Sequence, residues 1–236
     1  MGHKLIITHF KERRQMVKKY SMILGLILLL AVATPASAYN YNYDYVYGDG
    51  GYTSPYAGAI VETFDPSGAL TQGWALTGNY AIRKGSITEA ASPWYDDGSG
   101  GTRDETYYLT VPETLTGSLS ATIDFQGASY NYFGIWWGSM DTYNTLEFLA
   151  SDLSTVVDTV YGTTFSSGSG AQDDAETNRY VNFYGMDDFY GVRLTSTQFA
   201  FEVDNIAVGK NVTPEPTTML LLGFGLIGLA GLRRKA

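Results

Sequence analysis

The chain contains no cysteine and only two histidines, His3 and His9, both ahead of an apolar run at Met22–Ala33. If that run is an export signal, the exported chain has neither residue type. Ser-His-Asp and Cys-His nucleophile systems are then excluded, as are ordinary zinc sites. No disulfide can staple the fold, so a hydrophobic core must hold it, which the length permits. Basic residues are also scarce: between Tyr39 and Lys210, six of them face 22 acidic residues, a balance near −16. Such a surface repels phosphate backbones, and no nucleic-acid partner is expected. Carboxylates, hydroxyls, 19 tyrosines and a few cations remain for chemistry. Of the metals, an oxygen-liganded ion such as Ca²⁺ stays open.

The two ends concern address. Lys18 and Lys19 precede the apolar run, Thr34-Pro35 breaks it, and Ala36-Ser37-Ala38 offers small residues at −3 and −1. This pattern predicts a signal peptide over 1–38, cut by signal peptidase after Ala38. A start at Met16 would give a more compact signal. The alternative is an uncleaved anchor, for which the run is short. At the other end, Pro214-Glu215-Pro216 is followed by the Gly/Leu-rich run Met219–Leu232 and by Arg233-Arg234-Lys235. That run predicts a short membrane helix whose basic end stays cytoplasmic.

These three ordered elements resemble the PEP-CTERM sorting signal of Gram-negative bacteria. The resemblance covers 211–236 and implies an exosortase that reads Pro214, Glu215 and Pro216 and removes the tail. It further implies export through the inner membrane to the cell surface or extracellular matrix, in association with exopolysaccharide and biofilm. Within the middle region, the run Phe133 to Leu146, Tyr180-Val181-Asn182-Phe183 and Phe201 to Ile206 resembles a recurrent class of exosortase-dependent surface proteins. That class implies location rather than activity.

Residues 39–58 form a tyrosine-rich leader, with Tyr39, Tyr41, Tyr43, Tyr45 and Tyr47 alternating with other residues. On a strand these rings would share one face and favour self-association. Gly48, Gly50 and Gly51 favour a flexible segment instead. From Ala59 onward, β-branched and aromatic runs alternate with turn signals. The first candidate strands are Ile60–Phe64, Gly73–Thr77, Ala81–Thr88, Thr106–Val111 and Ser118–Phe125. Phe133–Trp137, Thr145–Leu149, Val156–Tyr161, Tyr180–Tyr184, Tyr190–Thr195 and Phe199–Val208 follow. The expected fold over 59–210 is all-β: an antiparallel β-sandwich of jelly-roll type.

Two candidate sites follow from the pattern. Adjacent Trp136 and Trp137 point to opposite faces of a strand. One belongs to the core. The other would be a stacking platform for a sugar, with Tyr143 beside it and Asp141 and Asn144 bonding hydroxyls, unless a covering loop buries it too. Separately, Glu62, Asp65, Glu202 and Asp204 bracket the domain. If the terminal strands pair, these carboxylates would converge on a structural calcium ion; otherwise they form a solvated edge. Glu202 and Asp204 share a face, which also raises a carboxylate-based glycosidase. Such enzymes need two carboxyls about 5 Å apart, and those that set them along one strand need a further acid where Ile206 stands. The reading is therefore a non-enzymatic exported matrix protein, with a secreted carbohydrate-active enzyme as the alternative.

Overall fold

A computed structural model describes residues 42–46, 53–96 and 99–210. Among the described residues fourteen strands, numbered along the chain, build two large antiparallel sheets and a small hairpin. The larger sheet runs β1 (Asn42–Val46), β12 (Arg179–Tyr184), β9 (Tyr132–Gly138), β14 (Phe201–Gly209), β7 (Tyr107–Val111), β4 (Ala81–Lys84). A short strand, β2 (Ile60–Glu62), also pairs with β14. The smaller sheet runs β11 (Val156–Tyr161), β10 (Asn144–Leu149), β13 (Gly191–Ser196), β8 (Ser120–Asp124), β3 (Ala75–Gly78). The hairpin joins β5 (Trp94–Tyr95) and β6 (Thr102–Arg103). Among the described residues there is no α-helix, and no helix is long and apolar enough to cross a membrane. The expected signal peptide and C-terminal helix lie outside the described residues.

The sandwich follows from alternation along the strands. In β8, Ala121 and Ile123 are buried while Ser120, Thr122 and Asp124 are half-exposed, as a period of two requires. Inward residues of both sheets meet in one aromatic core. Phe148 of the smaller sheet packs edge-on against Phe133 and Phe183 of the larger one, at 5.4 and 5.5 Å. The turn signal Thr77-Gly78-Asn79 carries the chain from one sheet to the other. There the Asn79 amide oxygen accepts from the Glu113 and Thr114 backbone amides, at 2.9 and 3.1 Å.

Two differences from expectation matter. The leader, expected to be flexible, contributes β1, an edge strand in register with β12 from Asn42↔Tyr184 to Val46↔Tyr180. The paired strand supplies the backbone partners that the glycines alone would not predict. Second, every residue of β9 is buried, on both faces. The larger sheet therefore has a core face and a covered outer face.

Candidate functional site

The outer face of the larger sheet is built by alternate residues of its central strands. On β14, Phe201 and Val203 enter the core, so Glu202 and Asp204 point outward. On β9, Phe133, Ile135 and Trp137 enter the core, whereas Tyr132 and Trp136 join an outer cluster with Tyr180 and Ala207. Tyr56, Ala59, Val61, Tyr95 and Tyr184 pack onto that cluster. A further patch of Ala90, Tyr108 and Ala200 lies on the same sheet. The chain around 54–61, 85–96 and 99–104 thus covers what period-two reading alone would leave half-exposed. Gly134 sits at the centre: a Cβ there would stand 2.5 Å from both the Tyr132 and Tyr180 hydroxyls. The Tyr132 hydroxyl donates to Asn182 Oδ1 at 2.7 Å, and that of Tyr180 to the Asn205 carbonyl at 3.0 Å.

Between these apolar groups lie two carboxyls. Glu202 is 2 % exposed: its Oε1 accepts from the Ala91 amide at 3.0 Å and its Oε2 from the Ser139 hydroxyl at 2.7 Å. Burial pushes its pKa up to about 8, against the opposing pull of those hydrogen bonds. Asp204 is 1 % exposed and accepts from the Asn205 amide. Burial, then the neighbouring Asp104 carboxylate, which can share its proton, push it up to about 10. Both groups are therefore protonated at neutral pH. Burial also raises Tyr108, whose hydroxyl donates to the Gly85 carbonyl at 3.0 Å. Asn205 adopts φ of 49°, and the register with β9 slips between Asp204 and Ala207. This bulge turns Ile206 into the core. The position at which the sequence lacks a third acid is therefore not on the outer face at all.

The terminal strands do pair, through β2 and β14, but Glu62 lies opposite Ile206 rather than beside Glu202 or Asp204. Its carboxylate is consumed locally. Oε1 accepts from the Phe64 amide at 2.8 Å, while Oε2 accepts from the Thr71 and Gln72 amides at 2.5 and 3.0 Å. Asp65 accepts from the Tyr107 amide. Among the described residues no three acidic, histidine or cysteine groups stand together to hold a metal ion. The four carboxyls expected to converge on a calcium ion, Glu62, Asp65, Glu202 and Asp204, are thus each held by protein hydrogen-bond donors, and Glu62 does not stand beside Glu202 or Asp204.

The residues expected to form a sugar platform are buried or bonded within the fold. Trp137 is fully buried and stacks on Phe201 at 4.4 Å, and Trp136 is 1 % exposed on the opposite face. Neither indole offers a face to a sugar. Asn144 is buried: Oδ1 accepts from the Asp141 amide at 2.9 Å, and Nδ2 donates to Ser196 Oγ at 3.0 Å. Tyr143 donates to the Phe199 carbonyl. Burial raises the pKa of Asp141. These residues fasten the β9–β10 turn to the segment after β13. The sequence reading missed Ser139, Ala91 and Asp104, the partners that define the carboxyl environment. No periodicity marks a residue that closes over a sheet from a loop.

The described region is thus an antiparallel β-sandwich whose larger sheet has a covered outer face holding two buried carboxyls. Beyond it, residues 212–235 match the PEP-CTERM protein-sorting motif. No curated protein and no solved structure matches the chain. The motif marks the protein for exosortase-dependent sorting to the cell envelope or surface. It contains Pro214, Glu215, Pro216, Arg233 and Arg234, which lie outside the described residues, as do Ala36 and Ala38 of the expected signal cleavage site.

Proposed function

We propose that the protein is a non-enzymatic component of the extracellular matrix, exported by a cleaved signal peptide and associated with exopolysaccharide. Before processing, its C-terminal helix holds it at the membrane. The observation that carries this reading is the sorting motif at 212–235; the strongly acidic, cysteine-free domain before it suits an exported sandwich. Glu202 and Asp204 raise the second reading, a carbohydrate-active enzyme, because two carboxyls share one strand face; such an enzyme pairs a protonated acid with an ionised carboxylate, whereas burial raises the pKa of both groups here. Against it, Glu202 already accepts from Ala91 and Ser139 and is covered by the loop that carries Ala91. Depolymerisation of polysaccharide by the exported protein, lost in Glu202→Gln, would establish the enzyme instead.

Two outcomes test the address. Replacing Pro214, Glu215 and Pro216 together by alanine leaves export intact and blocks tail removal, read as a retained C-terminal epitope on membrane fractions. Normal processing of that variant would refute the proposal. N-terminal sequencing of the exported protein begins at Tyr39. A chain that retains Met22 would instead be anchored.

A further inference from the structure

The six basic residues of the middle region are not equivalent. Arg83, Arg193 and Lys210 face Glu113, Glu147 and Asp188 in ion pairs. Arg179 is buried and donates to the Glu176 carbonyl. The remaining two, Lys84 and Arg103, form no ion pair among the described residues, and both line one cavity of about 480 Å³. That volume falls within the range of small-molecule sites. Lys84 stands at the end of β4, with its ammonium 5.9 Å from the Tyr107 ring centroid. Arg103 is fixed in β6: its guanidinium donates to the Ser92 and Gln172 carbonyls at 2.8 and 3.1 Å. Guanidinium N–H groups beyond these two remain for a ligand. Asp104, Glu105, Ser86 and Ser92 line the same cavity. Asp104 is already partly used, because its Oδ1 accepts from the Thr106 amide and hydroxyl at 2.7 and 2.6 Å.

We infer that this cavity binds a hexuronate residue, a sugar that carries its own carboxylate. The inference rests on the matrix reading above and names the ligand class within it. In a region near −16, Lys84 and Arg103 hold no carboxylate within ion-pair distance among the described residues, and they can pair with an external carboxylate although Asp104 and Glu105 line the same cavity. The wall suits the rest of such a ring. Glu105 accepts from sugar hydroxyls, while the Ser86 and Ser92 hydroxyls donate or accept. The repulsive field of distant acids is screened beyond about 8 Å at physiological salt, so the groups within the cavity decide.

The test uses the exported, processed protein, with a galacturonate trimer and a glucose trimer as probes in calorimetric titration. The galacturonate trimer binds saturably, at least about tenfold more tightly than the neutral trimer, and weakens as salt is raised. Lys84→Glu lowers its affinity at least about tenfold with the melting temperature unchanged, since the Lys84 side chain is exposed. Lys84→Met, which removes the charge alone, gives an intermediate loss. Equal affinity for the two trimers, or undiminished galacturonate binding by folded Lys84→Glu, would overturn the site while leaving the matrix reading intact. Binding of neither trimer would overturn it as well. The matrix reading fails separately if the exported protein does not co-fractionate with cell-surface polysaccharide.

Discussion

Raising the pH from 5 to 8 will destabilise the folded protein by several kcal/mol, and Glu202→Gln will remove much of that loss. The sign follows from linkage. The Glu202 carboxyl has a folded-state pKa of about 8 against 4.5 for an ordinary glutamate, and Asp204 about 10 against 3.8. Between these limits the folded state holds protons that the unfolded chain releases. The stabilisation is complete below about pH 4 and is lost as pH rises through the folded pKa. Each unit of displacement corresponds to about 1.4 kcal/mol, so two such groups are large against a total stability of about 5–15 kcal/mol. Glutamine keeps the shape, accepts from the Ala91 amide and donates to Ser139, but it has no proton to lose. Urea unfolding at pH 5, 6, 7 and 8 should therefore give a flatter slope for the variant and higher stability at pH 8. Parallel slopes for the two proteins would refute a buried, protonated Glu202.

Trp137→Ala will cost about 3–5 kcal/mol, the usual range for a large aromatic removed from a core. Trp137 is fully buried, stacks on Phe201 with ring planes 20° apart and meets Phe165 edge-on at 6.4 Å. Its indole N–H reaches Asn144 Oδ1 at 3.4 Å, but that oxygen keeps the Asp141 amide when the ring is gone. The loss is therefore cavity and contact, with little unsatisfied polarity. Denaturant unfolding measures it. A change below about 1 kcal/mol would show that the ring lies at a surface, as a ligand platform requires.

Much of this fold is legible in the chain. Ser118–Phe125 shows its alternation openly, and Val156–Tyr161 coincides with β11. The shared face of Glu202 and Asp204 also follows from counting residues. What period-two reading cannot supply is the cover. Tyr132, Trp136, Glu202 and Asp204 would be half-exposed on a one-sided sheet, and only the chain folding back around Tyr56 and Ala91 buries them. The β5–β6 hairpin has two residues in each strand, too few to show any pattern. The bulge after Asp204 depends on a left-handed Asn205, and a single asparagine in a β-rich run does not announce one. The cavity cations Lys84 and Arg103 are nineteen residues apart in sequence, and only the pairing of β4 with β7 and the return of β6 unite them.

The position of β14 bears on the order of events during export. It is the last of the described strands in sequence, yet it pairs with β2, β7 and β9 at the middle of the larger sheet. A chain delivered N-terminus first cannot close that sheet until residues 201–209 arrive. Pro214 lies five residues beyond Gly209, a tether of at most about 18 Å when fully extended. The completed sandwich therefore ends within one domain's width of the motif that marks the protein for sorting.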